Sequence, residues 1–74
     1  MTYPELTAVE TASHFQLAKW ARHLPSPGMS AVARDEHDFE VALVREAAIM
    51  DRIMVRFREA GGWTPELSKA VGWD

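Results

Sequence analysis

No cysteine occurs anywhere in the 74-residue sequence. Its absence removes disulfides, thiolate zinc sites and thiol catalysis together. A chain this short rarely builds a core worth more than about 3–5 kcal/mol unless something staples it. With disulfides gone, a metal or a second copy of the chain remains. His14, His23 and His37 are the three histidines. His14 and His23 stand far enough apart on a helix (about 900° of turn) to face opposite sides, so they cannot share a metal within one chain. Self-association is the simplest staple left.

Long apolar runs are also missing, and none approaches the roughly 20 residues of a membrane span. The opening stretch MTYPELTAVE carries acids where a secretory signal carries bases. A cytoplasmic location is the expectation. Glycine is scarce, with no phosphate-cradling loop, and there is no nucleophile motif and no pair of metal ligands on one helix face. So small a chain has little room for a concave pocket of enzyme size. The expectation is a non-enzyme with no cofactor and no metal. Bases are outnumbered, eight Lys and Arg against eleven Asp and Glu, for a net charge of −3. A general nucleic-acid binder needs a basic surface to release counterions, so that class is disfavoured, although a local basic patch is not excluded.

What is present reads as one folded domain over residues 1–74. Hydrophobic residues make up 47 % of the chain, too much for a disordered one. No stretch alternates like a strand, and the fold class expected is all-α. A first helix is expected from about Pro4 or Thr7 to Leu24, with Thr2–Glu5 and Thr7–Glu10 at capping-box spacing. Leu6, Val9, Leu17, Trp20 and Leu24 fall on one stripe, which Ser13 interrupts. Pro25-Ser26-Pro27-Gly28 ends it. Met29 to Arg34 reads equally as a separate turn or as the start of the next helix.

That next helix is expected over Asp35–Ala60. Acids stand at its start (Asp35, Glu36, Asp38, Glu40) and arginines toward its end (Arg52, Arg56, Arg58), matching the helix dipole. Gly61-Gly62 closes it. A short third helix follows, with Thr64 as N-cap, Pro65 in the first turn and Gly72 after the end. The architecture expected is two long antiparallel helices, a helical hairpin, closed by a short C-terminal helix. Trp20, Phe39, Leu43, Ile53 and Phe57 are the expected core, with Trp63 or Trp73 covering its end.

Both long helices carry a second apolar strip. Val41, Val44, Ala48 and Val55 lie opposite the Phe39–Phe57 stripe, and Phe15 points away from Leu17 and Trp20. A hairpin with a small third helix cannot cover both sides of both helices. These five residues are the expected interface of a homodimer, a helical bundle. Arg45, Arg52 and Arg56 line one edge of the long helix with few local acids. They read as a solvated face or partners of acids on another helix or subunit, or else as contacts to an acidic protein partner, with nucleic acid the least favoured reading.

Asp35-Glu36-His37-Asp38 reads as a helix N-terminus and not as a metal site, because no loop converges its oxygens. Thr64 to Trp73 resembles the first helix and turn of a helix-turn-helix unit. The helix that would enter the major groove does not follow, so a capped short helix is expected. The functional expectation is a non-enzymatic protein-binding regulator or inhibitor, phage-type or antitoxin-like, acting as a homodimer on another protein. The alternative is a dimeric nucleic-acid-binding transcriptional regulator.

Overall fold

The computed structural model describes residues 2–29 and 36–72, without the side chains of 36–38. Among these residues the chain is all-helical and holds no strand. Its elements are α1 (Leu6–Thr11), α2 (His14–His23), α3 (Glu36–Glu59) and α4 (Pro65–Val71). The expectations placed on Met29–Arg34 beyond Met29, on the side chains of the Asp35–Asp38 run and on Trp73 lie outside the described residues.

The single first helix expected from Pro4 or Thr7 to Leu24 is in fact two. Ala12 and Ser13 are both extended, with ψ of 148° and 163°. Thr11 bends its hydroxyl back onto the carbonyls of Thr7 and Ala8, at 3.3 and 3.4 Å, competing with the backbone ladder. Ser13 then starts α2 afresh, its Oγ accepting from the backbone N–H of Gln16 at 3.1 Å. Ser13 and Gln16 have capping-box spacing. The boxes read at Thr2–Glu5 and Thr7–Glu10 do not operate, since α1 starts with no side-chain cap.

The break lets α1 and α2 both lie on α3. Glu5 meets Arg45, Glu10 meets Arg52, and the carbonyls of Val9 and Ala12 meet Arg56. Thus α1 advances alongside α3 in the same direction. The chain then returns along α2. His14 touches Phe57 and Gly62 at the far end of α3, whereas Gly28, past the end of α2, sits against Phe39 and Leu43. Gly28 has φ +85°, and a Cβ there would stand 3.1 Å from the Phe39 ring. Glycine is required by both backbone and space.

Val9, Leu17, Ala18, Ile49, Ile53 and Phe57, with Tyr3 and Leu24, form the core. This corrects the expected set. Ile53 and Phe57 are buried, but Trp20 and Phe39 are only half-buried and Leu43 is 38 % exposed. The buried stripe of α3 runs Ile49–Ile53–Phe57, rotated toward Ile49, because α1 brings Val9 to that side. Glu46, one turn earlier on the same face, is buried as well and accepts from the Gly28 N–H at 2.9 Å.

The end of α3 is sealed as its glycines imply. Gly62 N–H bonds to Phe57 O at 2.9 Å, the six-to-one bond of a Schellman turn, with Gly61 and Gly62 both at positive φ. α4 starts as expected, Thr64 Oγ1 accepting from Leu67 N–H at 3.1 Å. It buries no residue fully, packs Leu67 and Val71 against the core and is tied to α2 by Arg22. That guanidinium donates to Ser68 O and Gly72 O at 2.9 and 3.0 Å, and lies 4.2 Å over the Trp63 ring. Trp63 in turn packs edge-on against Phe57, covering the end of the core although 43 % of it stays exposed.

Candidate interaction surface

The face of α3 turned away from the core exposes a strip of apolar residues. At about 100° per residue, Val41, Val44, Ala48 and Val55 fall within some 60° of one another. Val41 is 55 % exposed and Val44 72 %. Ala48 is exposed too, and Val55 is half-buried. Glu40, Val41, Val44 and Arg45 line an open depression of about 460 Å³. Ala47, Asp51 and Arg58, beside the strip, are exposed. Fully burying a valine is worth roughly 1.5–3 kcal/mol, so a strip left wet on so small a fold forgoes stability comparable to its core.

Along the other edge run the three arginines, and α1 of the same chain faces them. Arg52 grips Glu10 with two hydrogen bonds, Nε to Oε2 at 2.6 Å and Nη2 to Oε1 at 2.7 Å, a bidentate fork. The hydrogen bond from Arg52, followed by the charges of Arg52 and Arg56, lowers the Glu10 carboxyl below its ordinary value. The same pairing raises Arg52. Arg56 donates to Val9 O at 2.5 Å and to Ala12 O at 3.3 Å. Arg45 is held more loosely, by one contact of 3.3 Å to Glu5 with both side chains more than half exposed. The mutual repulsion of Arg52 and Arg56 on their own helix is thus answered by α1.

Leu6, which shares a stripe with Val9 and Leu17 in the sequence, parts from these two buried residues in the fold. It is 48 % exposed and stands one turn before Glu10, on the same face of α1. Because Glu10 reaches Arg52, that face borders the arginine edge of α3. Treating residues 4–24 as one helix hid this position. The Ser13–Gln16 capping signal would have revealed it.

Phe15 lies toward the C-terminal end of the strip. It is 43 % exposed, with Lys19 Nζ 5.8 Å over its ring. Its neighbour His14 packs on Phe57, about 24 Å along α3 from Val41. The residues expected at a dimer interface thus stand on two elements, four along α3 and Phe15 on α2.

Among the described residues no group of three or more His, Asp or Glu could hold a metal ion, and no helix is long and apolar enough to cross a membrane. The fold and surface define the class of the chain: an all-α domain with an apolar strip on its longest helix, rimmed by charge. Compared with protein-family models, curated proteins and solved structures, the chain matches none.

Proposed function

We propose that the chain is a non-enzymatic protein-binding module, a regulator or inhibitor that works as a homodimer and associates through the outer face of α3. The observation that carries this reading is the strip Val41–Val44–Ala48, exposed on a helix whose opposite face forms the core. An apolar centre with a polar rim is the anatomy of protein interfaces. Glu40 and Arg45 beside the depression supply that rim. Of the three arginines expected to meet a partner, Arg45 suits the role best, since one long contact leaves it available, while Arg52 and Arg56 are engaged by α1. That engagement also lends little support to a nucleic-acid contact, which needs uncommitted cations facing phosphates.

Val44→Asp tests the reading. The side chain is exposed, so the variant should keep the wild-type melting temperature and helical circular dichroism. It should lose the proteins that wild-type chain captures from its native lysate, and lose self-association. Equal capture and equal self-association by the folded variant would overturn the reading.

A further inference from the structure

The strip has a symmetry that identifies its occupant. Val41 and Val55 lie seven residues to either side of Ala48, and Ala48 stands at the middle of α3, which spans Glu36–Glu59. Two turns in each direction from that alanine the helix presents the same residue type on the same face. Glu40 and Arg58, eighteen residues apart, fall on one line along α3, because eighteen residues make five full turns. Both are exposed, on the flank of the strip away from α1.

From this arrangement we infer that the outer face of α3 is covered by a second copy of the chain, with the two α3 helices antiparallel about a two-fold axis at Ala48. The inference rests on the homodimer reading of the strip and adds the orientation and register in which the two copies meet. Antiparallel packing sets Val41 of each copy against Val55 of the other, and the two Ala48 residues at the crossing point permit close approach. Because a two-fold axis perpendicular to both helices brings like flanks together, Glu40 of each copy stands beside Arg58 of the other, giving two complementary pairs. On the opposite flank Arg45 approaches the Arg52–Glu10 pair of the second copy, so each guanidinium there is accompanied by a carboxylate.

In the parallel arrangement each residue of the strip would meet its own copy, and Glu40 of one chain would stay about 27 Å along the axis from Arg58 of the other. The antiparallel register is the one that brings these exposed opposite charges together.

The absence of cysteine makes the test direct. A disulfide needs Cα atoms within about 4.4–6.8 Å of each other. In the inferred register, Ala48→Cys alone should oxidise to a covalent dimer. Val41→Cys alone should not, since its two copies would stand about 21 Å apart. A mixture of Val41→Cys and Val55→Cys chains should link as a heterodimer. All three positions lie on the outer face of α3, so the folded state tolerates the change. As an independent measurement, Glu40→Arg should raise the dimer dissociation constant about tenfold, and adding Arg58→Glu should restore it.

Cross-linking of Val41→Cys by itself, with none in the Val41→Cys and Val55→Cys mixture, would overturn the register in favour of the parallel one. A wild-type chain that sediments as a monomer at micromolar concentration would overturn self-association. Should that monomer still capture a lysate protein that Val44→Asp loses, the protein-binding part of the proposed function would stand while its homodimer and this inference fell.

Discussion

Arg56 of α3 donates to the carbonyl of Val9 in α1 at 2.5 Å, and the same Nη1 reaches Ala12 O at 3.3 Å. The last carbonyls of a helix have no partner within it, and here a cation from a neighbouring helix takes them. Arg22 does the same for α4 through Ser68 O and Gly72 O. His14 Nε2 donates to Gly62 O, 2.8 Å away, just past the end of α3. The ends of α1 and α4 are thus met by side chains from elsewhere in the fold, and the turn after α3 is pinned by a third. Removing Arg56 should therefore cost far more than removing Arg45. Arg56→Met should destabilise by about 1.5–3 kcal/mol, as loss of charged hydrogen bonds to partly buried carbonyls does. Arg45→Met should stay within about 1 kcal/mol. Urea denaturation of the two variants measures the difference, and equal losses would show that Arg56 does not close α1.

The restart at Ser13 depends on one hydroxyl. Ser13→Ala should cost about 1 kcal/mol, and Ser13→Asp, another good N-cap, should restore most of it. Thermal melts of the pair are the check. Unchanged stability in the alanine variant would mean that the cap does not hold the α1–α2 corner.

Core position and exposed position on α3 are separated by their burial. Phe57→Ala, removing a side chain only 2 % exposed, should cost about 3–5 kcal/mol, enough to unfold a domain of this size. Leu43→Ala, at 38 % exposed, should cost less than about 1.5 kcal/mol. Reversal of that order would restore the stripe read from the sequence and overturn the rotated one.

Tyr3 is the sole tyrosine, so its phenolate absorbance reports one group. Its hydroxyl donates to Pro25 O at 2.5 Å. Burial first, and the Glu46 carboxylate second, push its pKa above the ordinary value. Spectrophotometric titration should give a midpoint above about 10, and Glu46→Gln should bring it part of the way back. Because the folded value is the higher one, this stabilisation is complete below the unfolded pKa. It is lost as pH rises through the folded value. Tyr3→Phe should lose that alkaline slope.

The Glu10 carboxyl has the opposite sign. Its folded pKa is lowered by Arg52, so its contribution is present above the unfolded value of about 4.3. It is lost as pH falls through the folded one. Melting temperature followed from neutral into acid pH should decline less steeply in Glu10→Gln than in wild type. Identical slopes would show that the Arg52–Glu10 fork adds no stability in solution.

How much of this was legible in one dimension depends on the range of the interaction. Helical class, the breaks at Pro25–Gly28 and Gly61–Gly62, and the Thr64 cap with Pro65 behind it all follow from the sequence, because each is a contest among neighbours. A proline removes its own N–H, and a threonine hydroxyl reaches only its own first turn. The exposed strip at Val41, Val44 and Ala48 was legible for the same reason, being a matter of phase along one helix. The corner at Ser13 was written locally too, in Ser13 and Gln16, but two competing capping patterns upstream masked it. What only the tertiary structure decided is which face of α3 is buried and what its arginines do. Both turn on α1 folding back beside α3, which brings Val9 to Ile49, Glu10 to Arg52 and the Val9 carbonyl to Arg56. Those partners lie forty or more positions apart along the chain, and no local pattern specifies a contact at that separation, since it exists only once three helices share one core.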